Sequence, residues 1–188
     1  AAYSPGCTWK LVVATESMRR GLVSIGDRME IPCRGALRYG GRLFRCWRPE
    51  GHGSLDLADA IQQSCNVYFY QLGLRLGLDA MLEGAQRLGY NQPTGIDLPH
   101  ELSGHFPESA EWFDRRYGTR GWSTGVVLNL AIGQGENDQT LLRQAIFYSA
   151  LATGRRPLVP HLARRDVAQP SRVDWSLDLT EAGRRELV

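Results

Sequence analysis

One stretch near the amino terminus limits the possible folds more than any other, because a turn signal is followed there by a largely apolar run. Pro5 and Gly6 are typical turn residues, and residues 9–14 are apolar apart from one lysine. Gly21 is the next residue that commonly ends a helix. The pattern predicts a helix over residues 7–20.

The predicted helix carries an unusual basic residue. The chain has 22 lysines and arginines, and Lys10 is the only lysine among them. A lysine can lose its proton when it is desolvated and then act as a base, whereas an arginine cannot. Cys7 would lie one turn before Lys10 on the same face, where the helix N-terminus and a nearby cation favour a thiolate. The two residues are either a nucleophile beside its base or a pair brought together by chance.

Length and composition indicate a single globular domain. The chain has 188 residues, of which 43% are hydrophobic and 22% are charged. Its net charge of +2 is too small to indicate binding to nucleic acid or to an anionic membrane surface. The sequence has no run of about 18 apolar residues that would predict a membrane span.

Short periodic segments separated by turn signals follow the first predicted helix. Gly40 and Gly41 divide the apolar residues of 31–47 into two runs, which predicts a hairpin or an irregular ribbon. A helical pattern covers residues 56–63. The small polar residues 64–66 then predict a break, because their side chains compete for backbone hydrogen bonds.

The rest of the chain is predicted to be largely helical around one long irregular segment. Residues 90–125 are rich in Gly, Pro, Trp and charged side chains, and an excursion of this length in a compact domain is usually functional. Helical patterns cover residues 67–76, 78–88 and 139–152, with a short apolar run at 126–132. Residues 157–161 have a strand-like pattern, the tail from Asp166 is polar, and a further helix is indicated within residues 178–188.

Two short motifs and several longer strings give the chain a resemblance to a known family. Cys7-Thr8-Trp9-Lys10 stands where a Ser-x-x-Lys motif would, and Ser64-Cys65-Asn66 is a Ser-x-Asn motif. The longer strings are Tyr3-Ser4-Pro5-Gly6, Gly51-His52-Gly53, the decapeptide from Ser64 to Gly73, Thr94-Gly95-Ile96-Asp97-Leu98-Pro99, Glu101 with Gly104 and Pro107, and Ile132-Gly133-Gln134-Gly135. In this order and spacing they resemble the transpeptidase domain of class B penicillin-binding proteins. The chain is most similar to the elongation type, penicillin-binding protein 2, over residues 3–162.

The resemblance implies a fold and a chemistry. The fold would be the α/β (α+β) penicillin-recognising transpeptidase type, in which a helical subdomain packs against an antiparallel sheet. The chemistry would be acyl transfer from the D-Ala-D-Ala end of a peptidoglycan stem peptide through a covalent acyl-enzyme, which an amine of a neighbouring stem resolves. Carried over by position, Cys7 is the nucleophile, Lys10 the base, Ser64 a proton shuttle and Asn66 a ligand of the substrate amide and of Lys10. The alternative for Ser64 and Asn66 is a loop or helix-cap pair.

The chain departs from the family pattern at two points. Cys7 replaces the family's serine, and this substitution, whether engineered or natural, predicts much reduced turnover because sulfur changes the bond lengths and the leaving-group balance. In addition, no Lys-Thr-Gly, His-Thr-Gly or Arg-Thr-Gly string follows Asn66. Residues 1–188 are therefore expected to be a partial, mostly helical transpeptidase domain without the Lys-Thr-Gly strand, the upstream pedestal or the membrane anchor. Its oxyanion hole is expected to be incomplete.

The other cysteines form a second constellation with one histidine. Cys33, Cys46, His52 and Cys65 are separated by 12, 5 and 12 residues. Three thiolates and one imidazole make a closed tetrahedral set for structural Zn²⁺, although this spacing is wider than in zinc fingers. The resemblance also supports a metal, because some elongation-type relatives have Asp, His and Cys ligands in this region. A Cys33–Cys46 disulfide and unlinked buried cysteines are the alternatives.

The position of Cys65 adds a geometric argument for the metal. It lies between Ser64 and Asn66, so if those two face the substrate, Cys65 points away from it, toward the other three side chains. A metal there would brace the Ser-x-Asn turn from behind. The histidines at positions 100, 105 and 161, like Trp112 and Trp122, are expected to be surface or packing residues.

The resemblance also implies partners and a location. The partners would be the stem peptide, β-lactams and membrane proteins of the elongation machinery, with no nucleic acid. The location would be the periplasmic face of the inner membrane, with the anchor in the parent protein. Two other functions stay open. A β-lactam hydrolase or sensor is disfavoured by residues 90–125 and 132–135, and a non-catalytic zinc-stabilised module that binds partners is favoured by Cys7 and the absent third motif.

Overall fold

The structure is a computed structural model that describes residues 1–163 and 171–188. Within these residues the fold is mostly helical, and its only sheet has two strands. The α-helices are α1 (Lys10–Arg19), α2 (Leu57–Gln62), α3 (Asn66–Leu76), α4 (Leu78–Arg87), α5 (Ala110–Tyr117), α6 (Val126–Ala131), α7 (Leu141–Thr153) and α8 (Glu181–Glu186). The strands are β1 (Ala36–Tyr39) and β2 (Arg42–Arg45).

The first helix begins with a tighter turn than the sequence predicts. A 3-10 helix, Gly6–Trp9, precedes α1, and α1 ends at Arg19 rather than at residue 20. Such a turn is common at the start of an α-helix. The backbone N–H of Lys10 donates to the Cys7 carbonyl, so the two residues are still one turn apart, as predicted.

The predicted hairpin is present. Strands β1 and β2 pair antiparallel, with Tyr39 opposite Arg42. Gly40 and Gly41 between them have φ of 53° and 76°. Two successive residues with positive φ are typical of the turn that fits the twist of a two-residue hairpin, and only glycine adopts this conformation without a steric penalty.

Helix α3 is the centre of the core and packs against α1, α4 and α6. It is apolar nearly all round, and Val67, Phe69 and Leu72 are completely buried. Each such side chain contributes about 1.5–3 kcal/mol relative to exposure. Gly73 allows the close approach of α6, because a Cβ atom there would lie 2.5 Å from the Cβ of Ala131.

The long segment 90–125 is not wholly irregular, which corrects the sequence prediction. It contains α5, which buries only Phe113, against the ring of Trp122 at 5.1 Å between centroids. The indole N–H of Trp122 donates to Asp114 over 2.8 Å. A short helix with one buried residue gives almost no hydrophobic periodicity, and the glycines and prolines around it are typical of loops. The sequence pattern therefore does not predict this helix. Trp122 packs, as predicted.

A buried carboxylate joins α1 to α4. The side chain of Glu16 is only 2% exposed, and it accepts hydrogen bonds from Arg19 at 2.6 Å, Arg20 at 2.7 Å and Arg87 at 3.1 Å. Burial alone would raise the pKa of Glu16, but the hydrogen bonds from the three arginines outweigh burial and lower it. The ionised carboxylate is therefore the form that holds the two helices together.

The carboxy-terminal part has less regular structure than expected. In the strand-like segment 157–161, Leu158 forms an isolated bridge with Arg172. Helix α8 begins at Glu181, where the Thr180 hydroxyl accepts from the N–H of Gly183. Asp166, where the predicted polar tail begins, lies outside the described residues. Among the residues that are described, no helix has both the length and the hydrophobicity needed to cross a bilayer.

Candidate active site and candidate metal centre

Lys10 lies in the first turn of α1 with only 3% of its surface exposed. Its Nζ donates to the Ser64 carbonyl at 2.7 Å, to Ser64 Oγ at 2.9 Å and to Asn66 Oδ1 at 2.7 Å. These oxygens match the three N–H bonds of an ammonium group. None of them carries a formal charge, so burial dominates and lowers the pKa of Lys10, although nearby cysteine thiols oppose the shift. The neutral amine is thus more accessible than in an ordinary lysine.

The Ser64–Asn66 turn holds these acceptors in place. Ser64 has a φ of 52°, a left-handed conformation that costs a residue with a side chain about 1–2 kcal/mol. Such strain is commonly found at functional sites. Asn66 begins α3, and its Nδ2 donates to the Arg45 carbonyl of β2 at 3.3 Å. This bond orients the amide so that Oδ1 faces Lys10.

Cys7 completes the cluster on its exposed side. Its thiol lies 3.8 Å from Lys10 Nζ and is accessible to solvent. The structure therefore brings together the four side chains that the sequence selected, Cys7, Lys10, Ser64 and Asn66. A nucleophilic atom and a hydroxyl that both contact one buried amine can support proton transfer and covalent acyl transfer.

A further residue positions Cys7, and sequence reasoning missed its role. Gly133 packs directly under the turn before Cys7, since a Cβ atom there would lie 2.2 Å from the Gly6 carbonyl oxygen. Its carbonyl accepts from the N–H of Gly6 at 2.9 Å and from Ser4 Oγ at 2.6 Å. The sequence identifies the string 132–135 only as part of the family pattern. Nothing in it indicates that Gly133 contacts Gly6 in the folded chain.

A second cluster lies behind the same turn. One ligand atom from each of Cys33, Cys46, His52 and Cys65 lies within 4.8 Å of all the others. His52 Nδ1 is 3.5 Å from the Cys33 sulfur and 3.6 Å from the Cys46 sulfur. The prediction that Cys65 faces the other three is therefore correct. All four cysteines of the chain are free, so the Cys33–Cys46 disulfide is not present.

The local backbone brings these ligands together. The N–H groups of His52 and Gly53 both donate to the Cys33 carbonyl, at 3.0 and 2.9 Å. Gly51 permits this contact, because a Cβ atom there would lie 2.1 Å from the same carbonyl oxygen. Cys65 is placed by the end of α2, where its N–H donates to the Ala60 carbonyl.

The chemistry of this donor set fits a metal ion. Tetrahedral Zn²⁺ with three sulfurs and one nitrogen places neighbouring ligand atoms about 3.8 Å apart, close to the observed spacing. The three cysteines are buried. The hydrogen bond between Cys46 and Cys65 lowers the pKa of the Cys46 thiol and raises the pKa of the Cys65 thiol, so Cys46 is the sulfur that this contact favours as a thiolate. His52 Nε2 is buried without a hydrogen-bond partner among the described residues. The group is compatible with a metal site.

The remaining histidines lie outside both clusters. The backbone of His105 pairs with Asp138, and its ring packs on Trp112 with 5.2 Å between centroids. His100 and His161 are exposed. These positions agree with the predicted surface and packing roles.

The fold and the Cys7–Lys10 cluster define a class of protein. The family model described as the penicillin binding protein transpeptidase domain matches residues 1–185, and the chain belongs to this family. The expected fold, a mostly helical portion of the penicillin-binding transpeptidase type, is thereby confirmed.

Relatives of known function extend the comparison. The peptidoglycan D,D-transpeptidase MrdA of Acinetobacter baumannii is 33% identical over 162 residues, which are 86% of this chain and 24% of the relative. MrdA of Escherichia coli K12 is 29% identical over 173 residues, which are 92% of this chain and 27% of the relative. The chain therefore spans about a quarter of the length of these relatives.

Solved structures give the same result. PBP2 from Helicobacter pylori, in a complex with MreC, superposes with a TM-score of 0.83 at 29% identity, covering all of this chain and 33% of that one. PBP2 from Pseudomonas aeruginosa gives 0.82 at 28% identity, with 99% and 43% covered. The predicted similarity to penicillin-binding protein 2 is thus confirmed.

Proposed function

We propose that this chain is the catalytic portion of a cell-elongation peptidoglycan D,D-transpeptidase. One observation carries the proposal: the buried Lys10 amine contacts both the Cys7 thiol and the Ser64 hydroxyl in a member of the penicillin-binding family. The substrate class would be stem peptides that end in D-Ala-D-Ala, and β-lactams would block the site as their mimics.

The geometry supports a sequence of proton transfers in this proposal. Lys10, as the neutral amine, accepts the Cys7 proton, and the sulfur attacks the carbonyl carbon of the penultimate D-Ala. The C–N bond breaks, and Ser64 Oγ passes a proton from Lys10 to the departing amine of the last D-Ala. A thioester is left on Cys7. The amine of a second stem then attacks this thioester, forms the cross-linking amide and returns the proton to the thiolate.

Asn66 would have two roles in this mechanism. Its Oδ1 accepts from Lys10, and its amide would bind the substrate backbone. Because the family uses serine at position 7, the sulfur is expected to reduce turnover: a thiolate attacks readily but changes the balance between the forward and reverse steps. We therefore infer a serine-type transpeptidase framework with impaired activity.

Acylation by a penicillin tests this function. Intact-mass spectrometry should show an increase of one penicillin molecule, mapped by peptide digestion to Cys7, and Cys7→Ala should abolish it. Cys7→Ser restores the family nucleophile and should give a longer-lived ester. No adduct on folded protein, or an adduct that persists in Cys7→Ala, contradicts the proposal. Rapid loss of the adduct by hydrolysis would instead favour the β-lactam hydrolase.

We also propose that Cys33, Cys46, His52 and Cys65 hold a structural Zn²⁺. The ion would supply no chemistry to the reaction; it would tie the hairpin, the loop of residue 52 and the Ser-x-Asn turn together. The four mutually close ligand atoms support this proposal. Elemental analysis should find one zinc per chain after dialysis against metal-free buffer. Absence of zinc together with a Cys33–Cys46 disulfide would overturn it.

The same proposal implies the partners and the cellular location of the parent protein. The MreC complex of the Helicobacter pylori relative supports membrane proteins of the elongation machinery as partners. The site would face the periplasm, where stem peptides are available, with the parent protein anchored in the inner membrane. Co-purification of the parent protein with its MreC from membranes should succeed, and recovery of the parent protein in the cytosolic fraction would contradict this location.

A further inference from the structure

A large groove in the described part of the chain lies outside the catalytic cluster. Its volume is about 710 Å³, and it lies between the β1–β2 hairpin, the end of α5 and the start of α6. The rings of Phe44, Phe113 and Trp122 contribute to its lining. Such a surface offers flat apolar area for the backbone and methyl groups of an extended peptide.

Two arginines line this groove without partners. Arg42 lies on β2 and Arg120 follows α5, and both are exposed. Neither side chain forms a hydrogen bond or an ion pair with a residue that the structure describes. Glu136 is the only acid among the described lining residues, and its carboxylate already accepts from the hydroxyl of Tyr117. The groove is therefore positively charged, with two guanidinium groups available to a ligand.

The groove adjoins the catalytic cluster through a short series of contacts. Phe44 packs against Tyr70 with 5.6 Å between ring centroids, and the Tyr70 hydroxyl donates to the Arg45 carbonyl at 3.0 Å. The same carbonyl accepts from Asn66, which contacts Lys10. A peptide that entered the groove would therefore lie beside the strand that orients Asn66.

We propose that this groove is a substrate subsite that binds the carboxylate-bearing part of a peptidoglycan stem peptide, with Arg42 and Arg120 as its specificity-determining residues. The inference rests on the proposed transpeptidase function and adds a second recognition site to it. Stem peptides combine free carboxylates with small methyl side chains, and this groove combines unpaired guanidinium groups with aromatic rings. The two arginines would select peptides by charge and hold them beside the Asn66 strand.

An NMR titration tests the subsite. The ¹⁵N-labelled chain is titrated with synthetic L-Ala-γ-D-Glu-L-Lys-D-Ala-D-Ala and with the same peptide carrying amidated carboxyl groups. The acidic peptide should shift the indole N–H signal of Trp122. The double variant R42Q/R120Q should bind it about tenfold more weakly, as expected for two exposed charge pairs. Amidation should cause a similar loss and remove the difference between the variant and the wild type.

A matched double variant controls for net charge. R38Q/R115Q removes one exposed arginine from the same hairpin and one from α5, the helix that precedes Arg120, and neither lies in the groove lining. This variant should therefore bind the acidic peptide as the wild type does. Equal affinity of R42Q/R120Q and the wild type overturns the subsite. Equal losses in the two double variants, or no binding at the highest soluble peptide concentration, overturn it as well.

Penicillin acylation of Cys7 in the same variants separates this inference from the proposed function. R42Q/R120Q should be acylated at the wild-type rate, because neither arginine contacts the Cys7–Lys10 cluster. Acylation together with arginine-independent peptide binding would refute the subsite alone. Arginine-dependent binding without any acylation would refute the transpeptidase function, and with it the stem peptide as the natural ligand.

Discussion

The Lys10 cluster and the Cys33–Cys46–His52–Cys65 cluster lie on opposite sides of one turn, and they differ in how their polar atoms are satisfied. Lys10 has three protein oxygens within 2.9 Å, so its buried cation needs nothing further. The second cluster turns four ligand atoms toward one another, and His52 Nε2 has no partner among the described residues.

The difference fits the roles that we propose for the two clusters. A buried amine held by neutral oxygens can change its protonation state, which suits proton transfer. Three buried sulfurs and an imidazole that face one another form a closed ligand set, which suits a structural ion. Because Ser64 and Asn66 belong to the first cluster and Cys65 to the second, the proposed catalytic and structural roles would be separated within three residues. Substitutions in the two clusters should therefore affect different measurements.

The largest expected effect is loss of the metal. Removing zinc with a strong chelator, or replacing Cys46 by Ala, should cost about 5 kcal/mol or more of folding stability, because structural zinc contributes directly to folding. For a domain of this size the Tm should fall by about 15 °C. Calorimetry together with elemental analysis checks this result.

A substitution of Cys7, the one cysteine outside the Cys33–Cys46–His52–Cys65 cluster, is the matched control. Cys7→Ala should keep both the zinc content and the Tm, since the Cys7 thiol is exposed and belongs to the other cluster. If Cys46→Ala melts within a few degrees of the wild type, the second cluster has no structural ion and the contrast between the clusters fails.

The next largest effect should appear in the rate and not in the stability. Lys10→Met should slow penicillin acylation of Cys7 about 1,000-fold, because it removes the general base. Its Tm should change little, since replacing a buried charge by an apolar side chain of similar volume is often neutral. Lys10→Arg should be equally slow, because a guanidinium does not deprotonate. Stopped-flow acylation and thermal melts measure both. An acylation rate for Lys10→Met within tenfold of the wild type would show that the amine is not the base.

The buried carboxylate of Glu16 provides a reference for the comparison of the two clusters, because its expected role is in stability alone. Glu16, on the same helix as Lys10, has charged partners, and Glu16→Gln should destabilise the chain by about 3 kcal/mol at neutral pH without changing acylation. Glu83→Gln removes a carboxylate that is 71% exposed and pairs with Arg20, so it should cost at most about 1 kcal/mol.

The pH dependence of this effect has a defined sign. The folded pKa of Glu16 is lowered below its ordinary value of 4.5. Its contribution is therefore fully present above pH 4.5 and is lost as the pH falls through the lower folded pKa. The stability difference between the wild type and Glu16→Gln, measured by urea unfolding, should shrink below pH 4.5. A difference that grows in acid would show that the carboxylate is not stabilised by its arginines.

The sequence predicts those parts of the molecule that depend on local pattern. The helix of Lys10, the hairpin at Gly40 and Gly41, and the helix predicted over residues 56–63 follow from neighbouring residues, and the structure contains all three. Both clusters were predicted because rare residue types, one lysine and four cysteines, limited the choice. Residue type is informative when few residues can supply the chemistry.

The missed features depend on contacts between distant segments. Nothing near Gly133 indicates that it packs under Gly6, and nothing near Glu16 indicates that Arg87 reaches it. The groove is also invisible to sequence reasoning, since Arg42 and Arg120 are two of many arginines and only the fold brings them together. These features need the three-dimensional arrangement, because their physical basis is packing and not periodicity.

The anchoring of the first residues also affects when the thiol becomes usable. Ser4 and Gly6 are fixed by Gly133, 129 positions beyond Ser4, and Tyr3 pairs with Gln139. During synthesis, the segment that carries Cys7 emerges before Gly133 and Gln139, so it has no support until those residues have emerged and folded. A chain released before that point should therefore show an unselective thiol, equally reactive toward any alkylating reagent. The position of the Cys7 thiol is thus fixed late in folding.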